Sequence, residues 1–330
     1  MKNKALHSGL MAIGLLLILL GIYRISGLRY QAPAQEREYI IENTEVICIA
    51  DVYDTYPEAV AVTDEHIYCL ISPDARIIKI DKETTMILEV VVLPFKKAED
   101  MVTDGTYLYV SEWRKPPHIL RIRLDNLAEY TMLELIYDSQ ATELLLVDNN
   151  LYVGQGTYIA RIDTRSWEQT GNLNNRDLNG ELSLGGSYFM ESLAAENDYL
   201  YACATFDTAR LVKVRIDDFV ITAAATPSEV YGEGLAVKDG YGYVVCTAAP
   251  GRVVKIDLGR MVEVDKLILD EAWDNPKSGV VVLGNCLYIL CEQGLVEVDL
   301  ERFEQTDSWV ISGSSREGIT VDDGKIYICR

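Results

Sequence analysis

Residues 233–258 read EGLAVKDGYGYVVCTAAPGRVVKIDL, and the same grammar returns along most of the chain. The second copy is laid out as MVTDGTYLYV (101–110), ILRIRLD (119–125) and YTMLELI (130–136). Apolar residues alternate over short runs, and an Asp-Gly pair separates the first run from the second, which is the pattern of antiparallel strands joined by tight turns. A tyrosine preceded by an apolar residue or glycine marks each copy, at Tyr68, Tyr109, Tyr152, Tyr201, Tyr243, Tyr288 and Tyr327, with gaps of 41, 43, 49, 42, 45 and 39 residues. Third runs close at KID (79–81), RLD (123–125), RID (161–163), RID (215–217), KID (255–257) and EVD (297–299).

A repeat of about 40–49 residues built from alternating runs, with no convincing soluble amphipathic helix, predicts four-stranded sheets arranged around an axis. Six full units are marked. The seventh is split between GITVDDGKIYICR at the C-terminal end and the runs EYIIE and EVICIADV near the start. The expected fold is therefore all-β: a seven-bladed β-propeller over residues 37–330 whose last blade is closed by N- and C-terminal strands, since closure removes unpaired sheet edges. The repeated tyrosines are expected to pack between the sheets.

Units such as 233–258 resemble NHL and YVTN-type propeller repeats, over about residues 37–330. That resemblance implies a ring fold and leaves the role open among protein interaction, envelope-associated binding, and lactonase or lyase chemistry.

The chain carries 51 acidic and 30 basic side chains, a formal charge of -21. Such a balance repels phosphate backbones, so nucleic acid is excluded as a partner, and favours cations and basic peptides at encounter. Residues 9–23, GLMAIGLLLILLGIY, form an uncharged apolar run preceded by Lys2 and Lys4. They are expected to form one N-terminal transmembrane or signal helix: residues 1–28 a signal anchor, 29–36 a linker, and the propeller outside the cytoplasm of a single-pass protein of the cell membrane. Cleavage and secretion is the alternative.

Seven cysteines lie mostly in strand-like apolar runs without CxxC spacing, as small buried hydrophobes do. The exception weighed is a Cys48–Cys329 bridge that would clamp the two ends together.

Nine or ten residues before six of the seven tyrosines stands a glutamate: Glu58, Glu99, Glu143, Glu191, Glu233 and Glu317, with Ser278 the exception. Each precedes the innermost strand of its unit, so the set is expected to ring one mouth of the central channel. Like charges converging on an axis repel. Arg76, Arg210 and Arg252, which open third strands at that end, offer local ion pairs; alternatively Glu99, Glu143 and Glu317 hold a hard cation such as Ca²⁺, or the ring takes a basic ligand. The loop EWRKPPH (112–118) brings Trp113 and Arg114 to the same face, and Phe206 joins them on the rim. The glycine-rich stretch 170–189 reads as an enlarged loop.

Two classes of function follow. The first is a non-catalytic module binding a protein, peptide or small cationic ligand at the mouth, requiring no cofactor. The alternative is a metal-dependent hydrolase or lyase similar to regucalcin and gluconolactonases, of whose ligands only the glutamate-bearing strand openings have counterparts here. Only His7, His66 and His118 are present, which supplies acid–base chemistry poorly.

Overall fold

The computed structural model describes residues 35–330 apart from 42–43, 51–55, 73, 138, 175–188, 206–208, 272, 277–278, 312–317 and 330. The chain divides into Met1–Pro33, which holds the apolar run and lies outside the described residues, and Ala34–Arg330. The second unit is seven four-stranded sheets. Blade 1 runs Tyr56–Val62, His66–Ser72, Arg76–Asp81 and Ile87–Val92 from the innermost strand outward, and blades 2 to 6 repeat that order. Each innermost strand touches that of the next blade, and the seventh touches the first, which closes the ring.

Blade 7 is built from both ends of this unit. Ile319–Asp322 is innermost and Lys325–Cys329 second; Thr44–Ala50 is third and Gln35–Ile41 outermost. Thr44–Ala50 runs parallel to Lys325–Cys329, with Ile47 beside Tyr327 and Ile49 beside Cys329. The reason lies in the chain path. Thr44–Ala50 feeds directly into the inner strand of blade 1, so it must end where an outer strand ends elsewhere, yet it occupies the third position and so runs alongside the second strand rather than against it.

The core is divided into seven apolar layers, one at each junction between neighbouring blades. The seven repeat tyrosines are all buried, none more than 3% exposed. Burial pushes the hydroxyls of Tyr68, Tyr201 and Tyr243 up to about 12, because the charged form would lose its hydration. Phe and Trp side chains from the neighbouring blade's last turn complete several contacts: Tyr109 with Trp167 at 5.8 Å, Tyr152 with Phe219 at 5.8 Å and Tyr243 with Phe303 at 6.1 Å.

A cation in the third strand completes this packing, a role the sequence pattern did not disclose. Arg121, Arg161, Lys213 and Lys255 each lie over an aromatic ring, at 4.7 Å from Trp167, 4.9 Å from Phe219, 4.1 Å from Tyr199 and 4.6 Å from Tyr241. Each also donates to a backbone carbonyl of the next blade, at Thr164 (3.0 Å), Ile216 (3.3 Å), Leu258 (2.9 Å) and Leu300 (3.3 Å) respectively. In blade 6 the equivalent residue is Glu297, which accepts from Thr306 within its own sheet.

Two expectations are corrected. Third strands end at Asp81, Asp163, Asp257 and Asp299 as expected, but in blades 2 and 4 they end at Arg123 and Arg215, two residues before the RLD and RID aspartates. There the arginine replaces the strand-ending aspartate and reaches forward to a carboxylate: Arg123 pairs with Asp125 and Arg215 with Asp218, both at 2.5 Å. The second concerns the bridge. Cys329 is bonded to Cys69, with Cα atoms 6.4 Å apart, and not to Cys48. The parallel register sets Ile49, rather than Cys48, beside Cys329, while Cys69 and Cys329 face each other in the layer between blades 7 and 1. Cys203 and Cys246 are buried free thiols, and Cys291 is buried as well. Burial raises the Cys203 thiol well above its ordinary range and Cys246 to about 12, so both stay protonated and unreactive.

The stretch 170–189 is only partly loop: residues through Asn174 complete the outer strand of blade 3 and Phe189 opens blade 4. Residues 175–188 lie outside the described residues.

Candidate functional site: the acidic channel mouth

Among the described residues, five inner strands carry a bulge near their start, and in every case a candidate glutamate sits in it. Pairing with the second strand passes from Pro57 to Ala59, from Ala98 to Met101, from Ala141 to Leu144, from Met190 to Ser192 and from Gly232 to Gly234. The residues passed over include Glu58, Glu99, Glu143, Glu191 and Glu233. A bulge frees one residue from the ladder and re-aims its side chain. Here it turns five carboxylates from five consecutive blades onto one cavity of about 350 Å³, which all five line together with Trp113. Val280 from blade 6 and Ile319 and Thr320 from blade 7 complete the wall.

Two residues that spacing alone did not single out tie this rim together. Asp100 follows Glu99 in the blade 2 bulge, and its carboxylate accepts from the Met101 amide at 2.7 Å and from the Leu144 amide of blade 3 at 2.6 Å. Thr142, before Glu143, donates its hydroxyl to the Met190 carbonyl of blade 4. Both line the cavity. In blade 5 the bulge begins at Gly232, where an added Cβ would stand 2.8 Å from Val244 Cγ1 and 2.9 Å from Ala209 Cβ, so this backbone approaches its neighbours as only glycine allows.

Charge compensation is distributed. None of the five glutamates stands free of interactions. Lys97 pairs with Glu99 at 2.9 Å, while Arg252 goes to Glu229 at 3.1 Å rather than to Glu233, and Lys266 joins it on Glu229 at 2.7 Å. Arg76 reaches Asp74 at 3.5 Å. Of the rim residues, Trp113 faces the cavity and Arg114 is exposed. Glu317, Phe206 and Ser278 lie outside the described residues. Among the described residues, no three His, Cys, Asp or Glu side chains come together as a metal site. His118 is held outside this cavity lining by Glu112 at 2.6 Å and Glu134 at 3.3 Å.

Fold and site together define a seven-bladed β-propeller with a carboxylate-lined mouth. The solved structure of BamB from Moraxella catarrhalis is similar to it, with a TM-score of 0.58 and 13% sequence identity over 80% of this chain and 79% of that one. A likeness at that identity shows the fold alone. No protein-family model matches the chain. No curated protein matches it either.

Proposed function

We propose that this chain is a non-catalytic binding propeller, tethered to a membrane by its N-terminal apolar run and held outside the cytoplasm, whose mouth takes a basic segment of a protein partner or a small cationic ligand. One observation carries this: five consecutive blades each spend a bulge on turning a glutamate into the same cavity. Carboxylates so gathered raise each other's free energy, and a bound cation relieves the repulsion. The overall charge of -21 draws the same class of ligand toward the protein. The Cys69–Cys329 bond supports placement outside the cytoplasm, because disulfides persist in oxidising compartments.

The test is titration of the full chain with a lysine-rich peptide at low and high salt. Binding is expected to weaken as salt rises, and the triple change Glu99→Gln, Glu143→Gln and Glu191→Gln is expected to weaken it about tenfold, or ~1.4 kcal/mol. A triple variant that binds as the parent does removes the mouth as the site.

A further inference from the structure

Lys97 and Trp113 are neighbours across the mouth end of blade 2, where the Trp113 amide donates to the Lys97 carbonyl at 3.1 Å. That pairing brings the Lys97 ammonium within 4.4 Å of the Trp113 ring centroid and 2.9 Å of Glu99 Oε2. Trp113 and Glu99 are both walls of the cavity. An ammonium between a ring face and a carboxylate has the two contacts by which proteins recognise cationic ligands. Here the chain's own side chain makes them.

Lys97 differs from the lysines that stitch the blades together. Lys213 and Lys255 also lie on aromatic rings, but each is tied to a carbonyl of the next blade. Among the described residues no carbonyl of a neighbouring blade accepts from Lys97, and its side chain is 40% exposed. The Lys97 end of both contacts faces solvent, although the Glu99 Oε2 it meets is buried, and four methylenes let the head group swing away without moving the backbone.

We propose that the mouth recognises a primary alkylammonium group, and that Lys97 is an internal occupant of the Trp113–Glu99 subsite which an incoming ammonium displaces. This rests on the acidic mouth being the binding site, and it adds the head group, the subsite and a built-in competitor. The ammonium belongs to a lysine side chain of a partner or to a free polyamine, two sources with the same chemistry.

The test titrates the full chain with spermidine and with an acetylated tri-lysine amide. Removing the competitor with Lys97→Met is expected to tighten both by about three- to tenfold, whereas Lys115→Met, which deletes the same charge from an exposed position on the neighbouring loop, changes them less than about twofold. Trp113→Ala is expected to cost little while Lys97 covers the ring, and to cost about three- to tenfold in the Lys97→Met background. Equal effects of Lys97→Met and Lys115→Met, or of Trp113→Ala in both backgrounds, overturn the displacement. Failure of every variant to bind either probe overturns the acidic mouth itself, and the two sources are told apart by which probe the parent chain binds more tightly.

Discussion

Asp81, Asp163 and Asp257 end their strands by folding a carboxylate onto the turn that follows. Asp81 Oδ1 accepts from the Thr84 amide and hydroxyl at 2.7 and 2.6 Å, Asp163 Oδ1 from the Arg165 and Ser166 amides at 2.9 and 2.7 Å, and Asp257 Oδ1 from the Arg260 amide at 2.9 Å. These bonds favour the charged form and hold all three below the ordinary aspartate value, the Thr84 hydroxyl leading for Asp81, the Ser166 amide for Asp163 and the Arg260 amide for Asp257. A depressed folded-state value means that the stabilisation is present above the unfolded value and is lost as pH falls through the folded one. The triple replacement by alanine is therefore expected to melt at lower temperature at pH 7 and to lose less on acidification below about pH 4 than the parent, as read by thermal denaturation across pH. Equal acid sensitivity would remove these aspartates from the account. At this scale the glutamates were legible because their spacing to a buried tyrosine hardly varies. Asp100 and Thr142 were not, since only the pairing register reveals that blades 2 and 3 pass over two residues instead of one.

The third strands show how an element reads correctly while its frame slips. A basic or apolar residue followed by aspartate marked their ends, and four of six fell in place. In blades 2 and 4 an arginine stands at the end and the aspartate lies beyond it, so a sequence match of the right letters was two residues late. What aligns all six is the residue two before the end, a cation in five of them: Lys79, Arg121, Arg161, Lys213 and Lys255. Its value as a tie is open to measurement. Lys213→Met removes both a ring contact and a hydrogen bond to the Leu258 carbonyl and is expected to cost about 1–2 kcal/mol in denaturant unfolding. Lys79 sits 5.9 Å from the Tyr68 ring centroid, and among the described residues no carbonyl of blade 2 accepts from it, so Lys79→Met should cost less. The reverse order would show that the carbonyl bond contributes nothing.

For the molecule as a whole, seven blades and the sharing of one between distant parts of the chain were legible from period alone. The cysteine pair was not, because Cys69 and Cys329 belong to different sheets and meet only in the layer between blades 7 and 1, a contact that strand periodicity does not encode. The bond that does form spans a sequence separation of 260 residues and fixes the second strand of blade 7 to the second strand of blade 1. A crosslink over so long a loop restricts the unfolded chain strongly, and Cys69→Ser with Cys329→Ser is expected to lower stability by about 2–5 kcal/mol, matched by the parent under reducing conditions. Urea curves that coincide with and without reductant would show that the crosslink adds nothing.

Assembly of blade 7 also sets a timetable. The hairpin of Gln35–Ile41 and Thr44–Ala50 is the first part of the ring to leave the ribosome, and its intended neighbour, Lys325–Cys329, is the last. Through the whole of synthesis Thr44–Ala50 therefore shows a row of unmet amides and carbonyls, which a second nascent chain can satisfy as well as its own. Exchange of this hairpin between copies, yielding interlocked pairs when the protein is made at high concentration, is the misassembly to which this architecture is most open.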